Sequence, residues 1–216
     1  MIDKLIDESI KLYTKPFSSI LLFGPPGAGK DLLGNFIAHG GSQVYVSLGD
    51  IFRCYPIESP IRQLFHKYAV SGSLIPDEDV IAVWNYYVQG LIATGKFLPD
   101  RQDLLISGLP RTVDQAKLLD SYIHVRHVII LEVHEEAKLL ERTQNSLYSK
   151  GRINEVGIEV LQKRLQSYQK DIDAIIQHYP IHKVSRISAE QKPMEVLRDV
   201  LSRLAHVFSH PGRPVN

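Results

Sequence analysis

Cysteine is nearly absent: the 216-residue chain has one, Cys54, so no disulfide can form within it. Long apolar runs are missing too. The longest, around Ile20 to Phe23 and Val128 to Leu131, fall far short of the ~20 residues that a membrane-spanning helix needs. Met1 to Ser9 mixes Asp3, Lys4, Asp7 and Glu8 with Ile2, Leu5 and Ile6 and lacks the basic start and apolar stretch of a secretory signal, so a cytoplasmic chain without a membrane partner is expected. No sign of charge predominates. Lys plus Arg number 25 against 24 Asp plus Glu, a net +1, which leaves no broad footprint for nucleic acid, whose binding is governed by phosphate neutralisation. The nine histidines are scattered without metal-ligand spacing; His206 and His210 are four apart but have no third ligand nearby in sequence. Repeats and low-complexity tracts are lacking. What remains, 44% hydrophobic and 23% charged, is the composition of one globular unit, long enough to bury roughly 70% of its unfolded surface.

The apolar residues fall into a recurrent pattern. Ile2, Leu5, Ile6, Ile10 and Tyr13 share one face of a short amphipathic helix that Pro16 stops, so residues 1–16 are expected to form a helical extension. Five short β-branched runs follow, at Ile20 to Phe23, Val44 to Ser47, Leu104 to Ser107, His127 to Val133 and Ile181 to Ile187. Helical stretches separate them, which predicts an α/β domain over residues 17–208 with a five-stranded parallel sheet. The helix after Asn154 is the clearest, with Leu161, Leu165, Tyr168, Ile172 and Ile176 at helical spacing. Trp84, Tyr86 and Tyr87 are expected in the core, the stretch between Gln89 and Asp103 as a surface loop, and residues 209–216, with Pro211, Gly212 and Pro214, as a frayed tail.

Chemistry enters at the end of the first strand. Ile20 to Phe23 runs into Gly24, Pro25, Pro26, Gly27, Ala28, Gly29 and Lys30, and a helical stretch follows. Glycine at the first and sixth positions and then lysine is the phosphate-loop pattern, in which bare backbone N–H groups wrap a phosphate and the lysine reaches the transferred group. The strand before and helix after are the context that the motif requires. At the eighth position, where a hydroxyl normally meets Mg²⁺, this chain has Asp31, followed by Leu32. A carboxylate is a good hard ligand for Mg²⁺, yet it repels phosphate where no metal intervenes.

Three further blocks follow in order: Ser47, Leu48, Gly49, Asp50, Ile51, Phe52, Arg53; then Gly72, Ser73, Leu74, Ile75, Pro76, Asp77, Glu78; then Gly108, Leu109, Pro110, Arg111, Thr112, with Gln115 shortly after. With the loop, they resemble the adenylate kinase family of nucleoside monophosphate kinases from about Ile20 to Leu204. The resemblance implies a P-loop fold with a monophosphate-binding insertion over residues 48–80 and a lid over residues 142–154. The implied reaction is reversible phosphoryl transfer from Mg-ATP to AMP by a monomer. Gly24, Gly27, Ala28, Gly29, Lys30, Asp31 and Leu32 would bind ATP, with Lys30 following the γ-phosphate. Leu48, Arg53, Leu74, Ile75, Gly108, Arg111 and Gln115 would bind AMP, the two arginines on its phosphate and Gln115 on its adenine. Bidentate guanidinium groups suit that phosphate.

The lid is read from Leu139, Leu140, Glu141 and Arg142, then Gly151, Arg152, Ile153, Asn154 and Glu155, then Arg164. It is similar to the family's short lid, in which Arg142, Arg152 and Arg164 would neutralise charge on the moving phosphoryl group. Only nine residues separate Arg142 from Arg152, none of them cysteine, so a zinc-stapled lid is excluded. The chain departs from the family at Ser107, usually acidic, and at Asp31 and Leu32, usually Gly-Thr. Two consequences are open. Asp31, together with Asp50, takes over the handling of Mg²⁺, or the chain binds nucleotide and transfers phosphate poorly. Another nucleoside monophosphate as acceptor, UMP, CMP or a deoxynucleotide, is a further alternative.

Overall fold

The structure, a computed structural model, describes residues 12–41, 43–149 and 158–209, with the side chains of 147–149 set aside. Five strands form one parallel sheet: β1 (Phe17–Phe23), β2 (Gln43–Ser47), β3 (Asp103–Ser107), β4 (Ile123–Glu132) and β5 (Val184–Ser188), in spatial order β2-β3-β1-β4-β5. Parallel strands need crossovers, and helices supply them on both faces. They are α1 (Lys30–Gly40), α2 (Leu48–Cys54), α3 (Pro60–Ser71), α4 (Asp77–Ala93), α5 (Val113–Leu119), α6 (Glu136–Ser149), α7 (Ile158–Gln177) and α8 (Pro193–Ser209).

Because alternate residues of a strand face opposite ways, β1 feeds two cores. Phe17, Leu21 and Phe23 face α2, α4, α5 and α7, around the fully buried Trp84 and Phe97; Ile20 and Leu22 face α1 and α8, against Leu33, Ile37, Val200 and Leu204. Burial on both faces explains why these strands read as unbroken apolar runs. β1 lies between β3 and β4, so the chain's connections diverge at its C-terminal end and leave a crevice there, the usual place for a ligand in an open α/β sheet.

All five expected strands are present, with shifted limits. β4 starts at Ile123, where the alternation Ile123, His124, Val125, Arg126 hides a half-buried strand. Residues 181–183 are a 3₁₀ turn with Ile181 exposed, and β5 begins only at Val184. The expected N-terminal helix lies outside the described residues up to 11; its last two residues, Leu12 and Tyr13, are not helical. Gln89 explains this, since its side chain accepts from Tyr13 N and donates to Tyr13 O, both at 2.9 Å. The stretch after Gln89 is more than a surface loop. α4 continues to Ala93, and Phe97 is buried completely, its ring edge-on to Phe17 at 5.8 Å. Ser209 ends α8 in helix, and the rest of the expected tail lies outside the described residues.

Candidate active site

The phosphate loop leaves β1 at Gly24, and α1 begins at Lys30. Two of its glycines are required by geometry. At Gly27, φ is 84°, and a Cβ would stand 2.5 Å from the Leu139 carbonyl and 2.7 Å from Thr143 Oγ1, so α6 packs directly on the loop. Gly29 caps α1 at φ 91°, and a Cβ there would meet nothing within 4 Å. Its surroundings are open, at a helix N-terminus whose free N–H groups and dipole favour an anion. Ala28 is buried and closes a tight turn by donating its N–H to Pro25 O at 3.1 Å.

Lys30 Nζ turns back into the loop, donating to Gly24 O at 2.6 Å and Pro25 O at 2.8 Å. Desolvation pushes its pKa down to about 8, Asp31 opposes the fall, and Arg111 adds to it. Arg111 donates its Nε to Gly108 O at 2.9 Å. Solvent reaches its side chain through the cleft mouth, but crowding by protein and then the charge of Arg164 push its pKa down to about 10, so it is still a cation at neutral pH. Arg164, on α7, crosses to α3 and donates to Ala69 O at 2.9 Å, while Lys163 beside it donates to Ser71 O at 2.8 Å. Arg53, in the last turn of α2, pairs with Asp50, and its Nε is buried without a hydrogen-bond partner.

Lys30, Arg53, Arg111 and Arg164 converge on one cleft of about 310 Å³. Gly24, Leu48, Leu74, Ile75, Gly108 and Gln115 also line it. Its apolar end is closed by Phe52 and Phe65, stacked at 4.9 Å with planes 13° apart, and by Tyr68 and Tyr168. Those aromatic positions escaped the sequence reading because helical periodicity marks a packed face without saying which packed residues border a cavity. Gln115 is buried, its Oε1 accepts from Arg111 N at 2.7 Å, and its Nε2 donates to Asp77 Oδ1 at 2.8 Å. Asp77 thereby joins the site as the group that fixes the Gln115 amide.

Several expected residues lie elsewhere. Arg142 donates to Ala189 O at 2.8 Å, just past β5, and Thr143 beside it lines the cleft. Leu32 is half exposed on α1, off the cleft lining. The Asp50 carboxylate pairs with Arg53 at 2.5 Å and is half exposed. Arg152 and the rest of the expected lid from residue 150 to 154 lie outside the described residues.

A glycine-rich loop at a helix N-terminus, with one lysine and three arginines over a single crevice, defines a P-loop phosphotransferase. Residues 22–184 match the family model described as "Adenylate kinase", and the chain belongs to the adenylate kinase family. It is 30% identical to the adenylate kinase of Flavobacterium johnsoniae over 86% of this chain and 99% of that one. It is 33% identical to that of Micrococcus luteus over 74% and 77% of the two chains, and 32% identical to that of Nitrobacter winogradskyi over 74% and 79%.

Proposed function

We propose that the protein transfers the γ-phosphoryl group of ATP to AMP, giving two ADP, and does so as a cytoplasmic monomer. The observation that carries this reading is the convergence of Lys30, Arg53, Arg111 and Arg164 on one cleft with an apolar, aromatic end. An acceptor with a phosphate at one end and a base at the other matches such a cleft. Among the described residues no helix is long and apolar enough to cross a membrane.

In this reading, residues 48–80 are the acceptor-binding insertion and residues 142–154 a short lid. Arg53 and Arg111 grip the acceptor phosphate, and the orphaned Arg53 Nε is a donor ready for it. Phe65, backed by the buried ring of Phe52, offers an aromatic wall for the base, and Gln115, held by Asp77, presents a fixed amide edge. Lys30 follows the moving phosphoryl group, which requires that its bonds to Gly24 O and Pro25 O exchange for phosphate oxygens. Arg164 and, from the lid, Arg152 offset the charge that gathers in transfer. Positioning and neutralisation supply nearly all catalysis of this kind.

Mg²⁺ belongs with ATP in this family, and the donors present suit it. Asp31 offers a hard carboxylate oxygen beside the loop, and Ser107 a hydroxyl at the end of β3. Among the described residues no three acidic, His or Cys groups form a cage. Mg²⁺ needs none, since it keeps several waters and binds through one or two carboxylates plus substrate phosphates. Held there, it would supply positive charge to offset that of the phosphates.

The test is a steady-state assay of ADP formation with ATP, Mg²⁺ and each nucleoside monophosphate in turn, with Lys30→Ala as the blank. AMP is expected to be the best acceptor. A faster rate with UMP, CMP or a deoxynucleotide would reassign the substrate, and no turnover despite ATP binding would leave a nucleotide-binding protein.

A further inference from the structure

Asp31, Tyr45 and Ser107 come from α1, β2 and β3 and meet beside the phosphate loop. Tyr45 Oη donates to Asp31 Oδ1 at 2.9 Å, and the Ser107 hydroxyl lies near the same phenol. Ser107 is only 2% exposed and stands opposite Ser47 in the β2–β3 register, two residues along from Tyr45. The ring reaches Asp31 by crossing the face of α1 at Gly34, where any Cβ would overlap it. A glycine inside a helix is disfavoured, and here its bare backbone is what admits the tyrosine. Burial and then the Asp31 charge push the phenol pKa up, so it keeps its proton and stays a donor.

Nothing in the phosphate-binding role of the loop calls for this contact. Left to swing, a carboxylate next to Lys30 would pair with the ammonium group or repel the incoming phosphates. The bond to Tyr45 engages one oxygen of the carboxylate and restrains its rotation. We propose that Tyr45 is a positioning residue that holds the Asp31 carboxylate for the Mg²⁺ that accompanies ATP, and so makes nucleotide binding depend on the metal. This rests on the kinase reading above. Partners that orient a metal-facing carboxylate are worth on the order of 10- to 100-fold in metal affinity.

The test measures binding of the non-hydrolysable imido analogue of ATP by calorimetry, in excess Mg²⁺ and in EDTA, for wild type, Tyr45→Phe, Asp31→Asn and the double variant. Tyr45→Phe keeps the ring over Gly34 and removes only the donor. The wild type should bind much more tightly with Mg²⁺. Tyr45→Phe should shrink that preference by on the order of 10-fold or more, Asp31→Asn should shrink it at least as far, and the double variant should go no further than Asp31→Asn. A tether that merely fastens α1 to β2 would lower the melting temperature of Tyr45→Phe and leave the Mg²⁺ preference intact, which would overturn the proposal. Wild type that turns over AMP while Tyr45→Phe keeps the full preference would sink this proposal alone. Wild type that binds no nucleotide even with Mg²⁺ would sink the kinase reading as well.

Discussion

At the residue scale, the site is governed by what burial does to cations. Lys30 is held at a pKa of about 8 by desolvation against the pull of Asp31. Its ammonium is therefore intact at pH 7 and is lost as the pH rises through 8. Affinity for ATP should be flat below about pH 7 and fall above pH 8, and a Kd titration between pH 6.5 and 9.5 checks this; Lys30→Arg should flatten the profile, because guanidinium does not titrate there. Stability has the opposite slope. Between the folded value near 8 and the ordinary lysine value of 10.5, the unfolded chain binds the proton that the folded chain has shed, so this group makes the fold more stable as pH rises through that window. Lys30 was legible from the loop motif, and Arg53, Arg111 and Arg164 from the blocks that resemble the family. Tyr45 was not, since its partner Asp31 is 14 residues away in another element and no local pattern links a strand residue to the mouth of a loop.

At the scale of elements, the same contrast holds. The strands could be read from their β-branched runs because both faces of a parallel sheet are buried. The start of β4 was not legible, because its first half carries His124 and Arg126. Arg126 has a structural task instead. It pairs with Asp103 at 3.0 Å, both side chains less than a tenth exposed, donates to Val207 O, and lies 5.8 Å from the Phe208 ring. β3, β4 and the end of α8 are joined through it. Asp103→Ala should cost about 3–5 kcal/mol, since it takes the paired carboxylate from a buried cation. Phe97→Ala, in the stretch that looked like a loop, should cost about 3–5 kcal/mol by opening the core next to Phe17. Chemical denaturation of each variant checks both values, and neither change touches the cleft.

For the whole molecule, the cleft is bounded by parts that meet only in the fold: the loop and α2 from one end of the chain, α7 from the other. Lys163 and Arg164 reach across to the carbonyls of Ser71 and Ala69, so α3 and α7 are already joined at the cleft mouth. A ligand that spans both halves should tie them more firmly. A bisubstrate mimic with two adenosines joined by phosphates, at about 100 times its Kd, should add about 2.7 kcal/mol of stability, a rise in melting temperature of roughly 5–10 °C for a chain of this size; ATP or AMP alone at the same concentration should give less, because each engages one half of the cleft and binds more weakly. Descent adds a constraint of its own. Because the Tyr45 ring occupies the space of a Cβ at position 34, the two sites cannot drift independently: in a lineage leading away from this protein, Tyr45 must shrink before Gly34 can gain a side chain. Reversals should be just as ordered, with a glycine at 34 always preceding a tyrosine at 45.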